Sequence, residues 1–128
     1  MPNSTLILVA RIFLALLFIV GGFGKLAGGP ANFAGYLGSL GFPAPLFFAW
    51  ATIAVELLGG LAVLVGFQTR NAAYALAAFC IASAIVAHFD FADQNQMTQF
   101  LKNLGLAGGF LLLAATGPGT LSIDGRRR

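Results

Sequence analysis

Apolar residues run along this chain in long stretches separated by short polar breaks, without the two-residue alternation that a half-buried strand or a membrane barrel strand requires. Crossing about 30 Å of hydrocarbon takes roughly 20 helical residues. Four segments reach that length: residues 5–24, 44–66, 71–88 and 97–116. Helix punctuation agrees with these limits. Ser4 and Thr5 are placed to cap the first helix, Pro43 and Pro45 stand at the start of the second, and Gly117, Pro118 and Gly119 stop the fourth. The connection between the first two segments is the only long one. In it Phe33, Tyr36, Leu37 and Leu40 recur near helical spacing, between Gly28, Gly29 and Pro30 on one side and Gly41 on the other, which predicts a short amphipathic helix lying along the membrane interface. The expected fold is therefore all-α: a polytopic four-helix transmembrane bundle with a short interfacial helix between helices 1 and 2, in one domain spanning residues 1–128.

Composition fixes the solvent. Of 128 residues, 59% are hydrophobic and 9% charged, against roughly 45–50% and 25% in soluble domains, and a globule this small cannot bury that much apolar surface. A soluble enzyme, a nucleic-acid binder with a densely basic face and a disordered tail are excluded on this ground. The net charge of +3 comes largely from Arg126, Arg127 and Arg128. With an even number of spans, these residues and Arg70 share one side, while Lys25, Asp90, Asp93 and Lys102 share the other. The excess of Arg and Lys on the terminal side predicts that both termini are cytoplasmic. The first apolar segment has no side-chain cation ahead of it and no clear small-x-small cleavage site, so it reads as a retained span rather than a signal peptide. Cys80 is the only cysteine, which leaves no internal disulfide, C-x-x-C pair or thiolate metal cluster.

Ionised groups inside a bilayer cost a few kcal/mol even on lenient scales and face the bundle interior with partners. Arg11 lies about 9 Å into the first helix and Glu56 about 15 Å from the same membrane face, close enough in depth to pair. The pair reads either as the floor of a polar, proton-accessible site or as a structural bridge, with an Arg11 that snorkels to the headgroups as a third reading. Ala15, Phe18, Gly22 and Lys25 share one helical face with Arg11. Lys25, His88, Asp90, Gln99, Lys102 and Asn103 come to similar depth near the outer surface, an arrangement suited to an anionic or carbonyl-bearing ligand such as a quinone head. The plain alternative is that they sit in the headgroup zone. The H-x-D-x-x-D spacing of His88, Asp90 and Asp93 is too common to predict a metal, and a single histidine does not argue for haem. Gly59 and Gly60, the G-x-x-x-G of Gly105 and Gly109, and the stripe Ala73, Ala77, Ala84, His88 are read as close helix packing, with homodimerisation through Gly105 and Gly109 as the alternative.

In combination, RIFLALLFIVGGFGKL in the first helix, AVELLGGLAVLVGFQTR in the second, the His88 and Asp90 region, QFLKNLGLAGGFLLL in the fourth and the ending TGPGTLSID resemble the DoxX family of small bacterial membrane proteins. The resemblance implies a four-helix bundle in the bacterial inner membrane, with Arg11, Lys25, Glu56, His88, Lys102 and Asn103 at the family's characteristic polar positions. It also implies an association with quinone-linked or oxidative-stress-related oxidoreductase assemblies. The leading expectation is thus a membrane subunit binding a quinone or similar lipophile. Arg11 and Glu56 would set the inner polar floor and His88, Lys102 and Asn103 would meet the head, with a redox partner protein docked. No residue is assigned a catalytic role. The rivals are a ligand-free membrane scaffold, and a small proton-coupled solute transporter in which Glu56 carries the proton and a homo-oligomer supplies the missing helices.

Overall fold

Every regular element of the described residues is helical. A computed structural model describes residues 3–126; Arg127 and Arg128, counted above toward the orientation, lie outside them. The helices are α1 (Ser4–Gly28), α2 (Pro30–Ser39), α3 (Pro45–Val65), α4 (Thr69–Ala87), α5 (Gln94–Thr116) and a single C-terminal turn, α6 (Ile123–Arg126). Three of them, α1, α3 and α4, are long and apolar enough to cross a membrane. The fourth expected span differs: α5 begins at Gln94, three residues before the expected start, and Gln96, Gln99, Lys102 and Asn103 make its first half too polar to join that group.

Helix ends follow local chemistry. Asn3 rather than Ser4 or Thr5 caps α1, its Oδ1 accepting from the Thr5 and Leu6 amides at 3.0 and 3.2 Å. The helix then runs four residues past its predicted end, so that Lys25 belongs to its last turn. Helix α3 starts with Pro45 at its first position, where a missing N–H costs nothing, and ends at Gly66 in the left-handed region (φ 72°). The Phe67 amide then bonds back to Ala62 O at 2.9 Å. The short helix α2 forms where it was expected, but its buried face is Ala34 and Leu37 against Ala49 of α3, with Phe33 and Phe42 alongside, while Tyr36 and Leu40 are exposed.

Antiparallel pairs α1–α3 and α4–α5 make the largest contacts, α3–α4 joins the pairs, and α2 lies against α3. Arg11, Ala15, Phe18 and Gly22 are the buried residues of α1, the face read from their spacing. Phe18 stands at the centre, edge-on to Phe110 at 5.4 Å and to Phe79 at 6.3 Å. Ala73, Ala77 and Ala84 are buried as the small-residue stripe predicts. Glycines set the closest approach: a Cβ on Gly22 would meet Leu57 Cγ at 2.9 Å and one on Gly60 would meet Ile19 Cγ1 at 2.9 Å. The G-x-x-x-G of α5 does not act as a unit, since Gly109 faces Leu14 while Gly105 has open space. Large apolar side chains such as Leu6, Phe13, Phe47, Leu58 and Leu112 are two-thirds exposed, an apolar belt that a soluble protein would bury.

One end of the bundle is tied down by side chains on backbone ends. Arg11, with no exposed surface, donates from Nη1 to Val63 O and Leu64 O at 3.3 and 3.2 Å and from Nη2 to Leu121 O, so it closes the carbonyl end of α3. Its Nε has no hydrogen-bond partner. Arg70 Nε does the same for α5, donating to Ala114 O at 3.1 Å. Asp124, folded back by the C-terminal segment, accepts from the Gln68 and Thr69 amides and the Thr69 hydroxyl at 3.0, 2.8 and 2.8 Å, which caps α4. Positive groups at two helix C-termini and a carboxylate at an N-terminus also match the helix dipoles.

Replacing Arg11 by Met is expected to lower unfolding stability in detergent by about 3 kcal/mol, because the carbonyls of Leu64 and Leu121 lose the Arg11 donor and that of Val63 keeps only the Gly66 amide. Denaturant titration of the purified variant measures this, and an unchanged midpoint would show that the capped end is not under load.

Candidate functional site

The antiparallel register of α1 and α3 decides which charges meet. Gly22 lies against Glu56 and Leu57, and Gly60 against Phe18 and Ile19. Glu56 is therefore level with the end of α1 that carries Lys25, and Arg11 stands roughly 17 Å further along the axis. The expected Arg11–Glu56 pair is not formed. Depths reckoned from assumed span ends placed the two helices about two turns out of their actual register. Instead Lys25 Nζ lies 2.8 Å from Glu56 Oε1, with 28% and 9% of the two side chains exposed. The contact falls outside hydrogen-bonding angles, so it is an ion pair rather than a directed bond. Lys25 also sits over the Phe33 ring, 5.3 Å from its centroid, which ties α2 to the same spot.

Around this pair opens a chamber of about 340 Å³ between α1, α2, α3, α4 and α5. Of the six residues singled out from the sequence, Lys25, Glu56, His88, Lys102 and Asn103 line it and Arg11 does not. Asn103 is buried and its amide reaches Ser83 Oγ at 3.4 Å. Lys102, exposed at the chamber edge, donates to Gln99 Oε1 at 2.6 Å. His88 ends α4, with Nδ1 3.2 Å from Gln96 Oε1. Asp90 lies outside the chamber: it accepts from the Ala92 amide, and Asp93 from that of Asn95, so both serve loop and cap geometry.

Sequence reasoning overlooked Cys80 and Ser83 on α4, Phe33 and Tyr36 on α2, and the Phe18–Phe79 floor. A signal existed for Cys80 alone. It falls on the Ala73, Ala77, Ala84 stripe at spacings of seven, three and four, but with no polar neighbour in sequence it reads as packing. The two α2 aromatics are placed by tertiary docking of a short helix, which periodicity does not specify. Chemically, the chamber offers two ammonium groups against one carboxylate, with amide, hydroxyl and imidazole groups beside them. This arrangement suits an acceptor-rich or anionic group better than a cation.

The DoxX family profile matches residues 6–89, which run from the first turns of α1 past His88. The chain belongs to the DoxX family. It is 45% identical over 120 residues to the inner membrane protein YqjF of Escherichia coli strain K12, covering 92% of this chain and 88% of that one. To the inner membrane protein YphA of the same strain it is 37% identical over 130 residues, covering 97% and 91%. The ER-derived vesicles protein ERV29 of Saccharomyces cerevisiae shares 28% identity over 85 residues, 62% of this chain but 27% of its own length. No solved structure matches the chain. With its three span-length apolar helices, this DoxX protein is an integral inner-membrane protein. Lys102 and Asn103 lie beyond the residues that the family profile covers.

The ion pair makes a thermodynamic cycle informative. Lys25→Met should destabilise this DoxX protein by about 2–3 kcal/mol by leaving a carboxylate without its cation, and adding Glu56→Gln should restore most of that loss. Unfolding midpoints of the two single variants and the double variant read the coupling. Simple additivity would mean that the pair contributes nothing.

Proposed function

We propose that this DoxX protein is a four-span inner-membrane subunit that holds the polar head of a small lipophilic molecule, a quinone or a close chemical analogue, in the chamber. The observation that carries this reading is the set of donors at the chamber, Lys25, Lys102, Asn103 and His88, gathered from three helices around a carboxylate on a fourth. Ionisable residues within membrane helices are rare and commonly mark binding or conduction sites. Carbonyl oxygens of a quinone would accept from Lys102 and Asn103, while the Lys25–Glu56 pair fixes the opposite wall and Phe18 and Phe79 form the floor. Docking to a redox partner protein extends the same reading.

Titration of decylubiquinone into the protein in lipid nanodiscs tests it: binding should saturate, and Lys102→Met should weaken it about tenfold, the loss expected for one hydrogen bond to a charged donor. Absence of saturable binding to the unaltered protein would overturn the reading.

One observation favours the scaffold as a second reading. Arg11, the most completely buried charge, serves helix ends and not the chamber, so at least one of the membrane-embedded charges is structural.

The topology that goes with the proposal makes α5 the fourth crossing, with its polar half at the chamber and α2 at the interface of the same side. Both termini, with Arg70 and Arg126, are then cytoplasmic. Phe89 and Phe91 in the α4–α5 connection cluster with Phe100 of α5 at 4.9–6.0 Å, an apolar knot at that end of the bundle. An alkaline phosphatase fusion after Ala92 should be active and one at the C-terminus inactive; the opposite pattern would reverse the orientation.

A further inference from the structure

We infer that the chamber holds only half of its ligand, and that the other half, a single apolar tail, lies in a neighbouring cleft through which the molecule enters sideways from the bilayer. The inference rests on the chamber reading above and extends it to the class of ligand and its route.

A second cavity, also about 340 Å³, lies between α2, α3 and α4. Its walls are apolar: Leu37, Leu40 and Phe42 on one side, Val55, Ala82 and Val86 on the others. Leu40, Val55 and Val86 are between a third and a half exposed, so the cleft opens on the outer face of the helices, where acyl chains would be. The chamber and the cleft share four lining residues, Tyr36, Phe79, Ser83 and Ala87. Residues 79, 83 and 87 follow one face of α4 at successive turns. The partition between the two spaces is thus one helical ridge, low at Ser83 and Ala87, with Tyr36 opposite it. Tyr36 is 45% exposed and belongs to a ten-residue helix flanked by Gly29 (φ 102°) and Gly41 (φ 90°). Its ring stacks on Phe33 at 6.0 Å, so a swing breaks one ring contact and leaves the buried residues of α2 in place.

Polarity divides sharply across that ridge. The chamber carries Lys25, Glu56 and Lys102, while the cleft carries no charged side chain and, beyond the shared Ser83 and Tyr36, only the Thr52 hydroxyl. Two adjoining spaces of opposite polarity fit one amphiphile with an acceptor head and a slender tail. Together they fall well inside the roughly 300–1,000 Å³ usual for small-molecule sites. A tail moving from lipid into the cleft leaves one apolar medium for another and gains little affinity. The cleft's contribution is room: with the head in the chamber, the tail needs somewhere to go.

Occlusion is therefore the discriminating experiment. The probes are decylubiquinone and its tail-less counterpart, 2,3-dimethoxy-5-methyl-1,4-benzoquinone, titrated into the full chain in nanodiscs. Ala82→Trp fills the cleft from an exposed position, Val86→Trp repeats the blockage from its rim, and Leu58→Trp, on an outward position outside both cavities, is the control. Either cleft variant should weaken decylubiquinone binding at least tenfold and leave the tail-less probe within twofold, with the control unchanged for both. If the tail-less probe binds and the folded cleft variants bind decylubiquinone as well as the unaltered protein does, the cleft holds ordinary lipid and the inference is overturned while the chamber reading stands. If neither probe binds the unaltered protein, both fall together.

Discussion

Helix ends in a membrane protein need partners that water would otherwise supply, and the end of this bundle that carries Arg11 is organised around that need. The last carbonyls of α3 and α5 are met by Arg11 and Arg70, and the first amides of α4 by Asp124. Each donor or acceptor comes from a different element than the end it satisfies, so these contacts fasten α1 to α3, α4 to α5 and the C-terminal segment to α4. The Asp124 amide adds a bond to Gly66 O at 2.8 Å, and Thr120 Oγ1 lies 3.0 Å from Ser4 Oγ. Gly66 completes the lock. It needs both its left-handed backbone and its missing side chain, since a Cβ there would overlap Ser122 and come within 2.6 Å of the Arg11 guanidinium. A rigid base of this kind leaves the opposite end, with its short helix and two longer connections, to carry a cavity.

From that base the α1–α3 contact fixes the position of the site. Gly22 and Gly60 allow the two helices to touch closely at two levels, and a helix pair held at two levels cannot slide. Glu56 is then committed to the end where α1 carries Lys25. The ion pair that results spans the two helices and leaves the chamber side open, and the Phe33 ring over Lys25 extends the link to α2. Site geometry here is a consequence of small residues at distant positions rather than of the charged residues themselves.

That dependence explains what could be read from the chain and what could not. The buried face of α1, the alanine stripe of α4, the short helix between the first two spans and the group Lys25, His88, Lys102 and Asn103 follow from spacing, because period and rise act within or between neighbouring helix ends. Pairing of Arg11 was misjudged because it needs the register between helices, which is set by Gly22 and Gly60 against bulky partners and not by where hydropathy rises or falls. The roles of Asp124 and Arg70 were invisible for a related reason: both act on backbone ends brought near by the return of the C-terminal segment. The polar start of α5 illustrates a conflict of signals. Lys102 and Asn103 line the chamber, and with Gln96 and Gln99 they lower the hydropathy by which a fourth crossing would be recognised.

Hydrogen-bonding within the protein separates the polar groups of the locked end from those of the chamber, where Lys102 is exposed and Lys25 partly so. At the locked end, both terminal nitrogens of Arg11 are engaged with carbonyls, and the Asp124 carboxylate receives three donors. At the chamber the accounting is open. An ammonium offers three donors, yet Lys102 gives one to Gln99 and Lys25 faces a single carboxylate oxygen. Asn103 can make four bonds and has one long contact to Ser83. Each missing bond in an apolar medium costs free energy, and at the locked end the orphan among these groups is the Arg11 Nε. Under the ligand reading proposed above, the donors left over at Lys25, Lys102 and Asn103 would meet acceptors on the bound head.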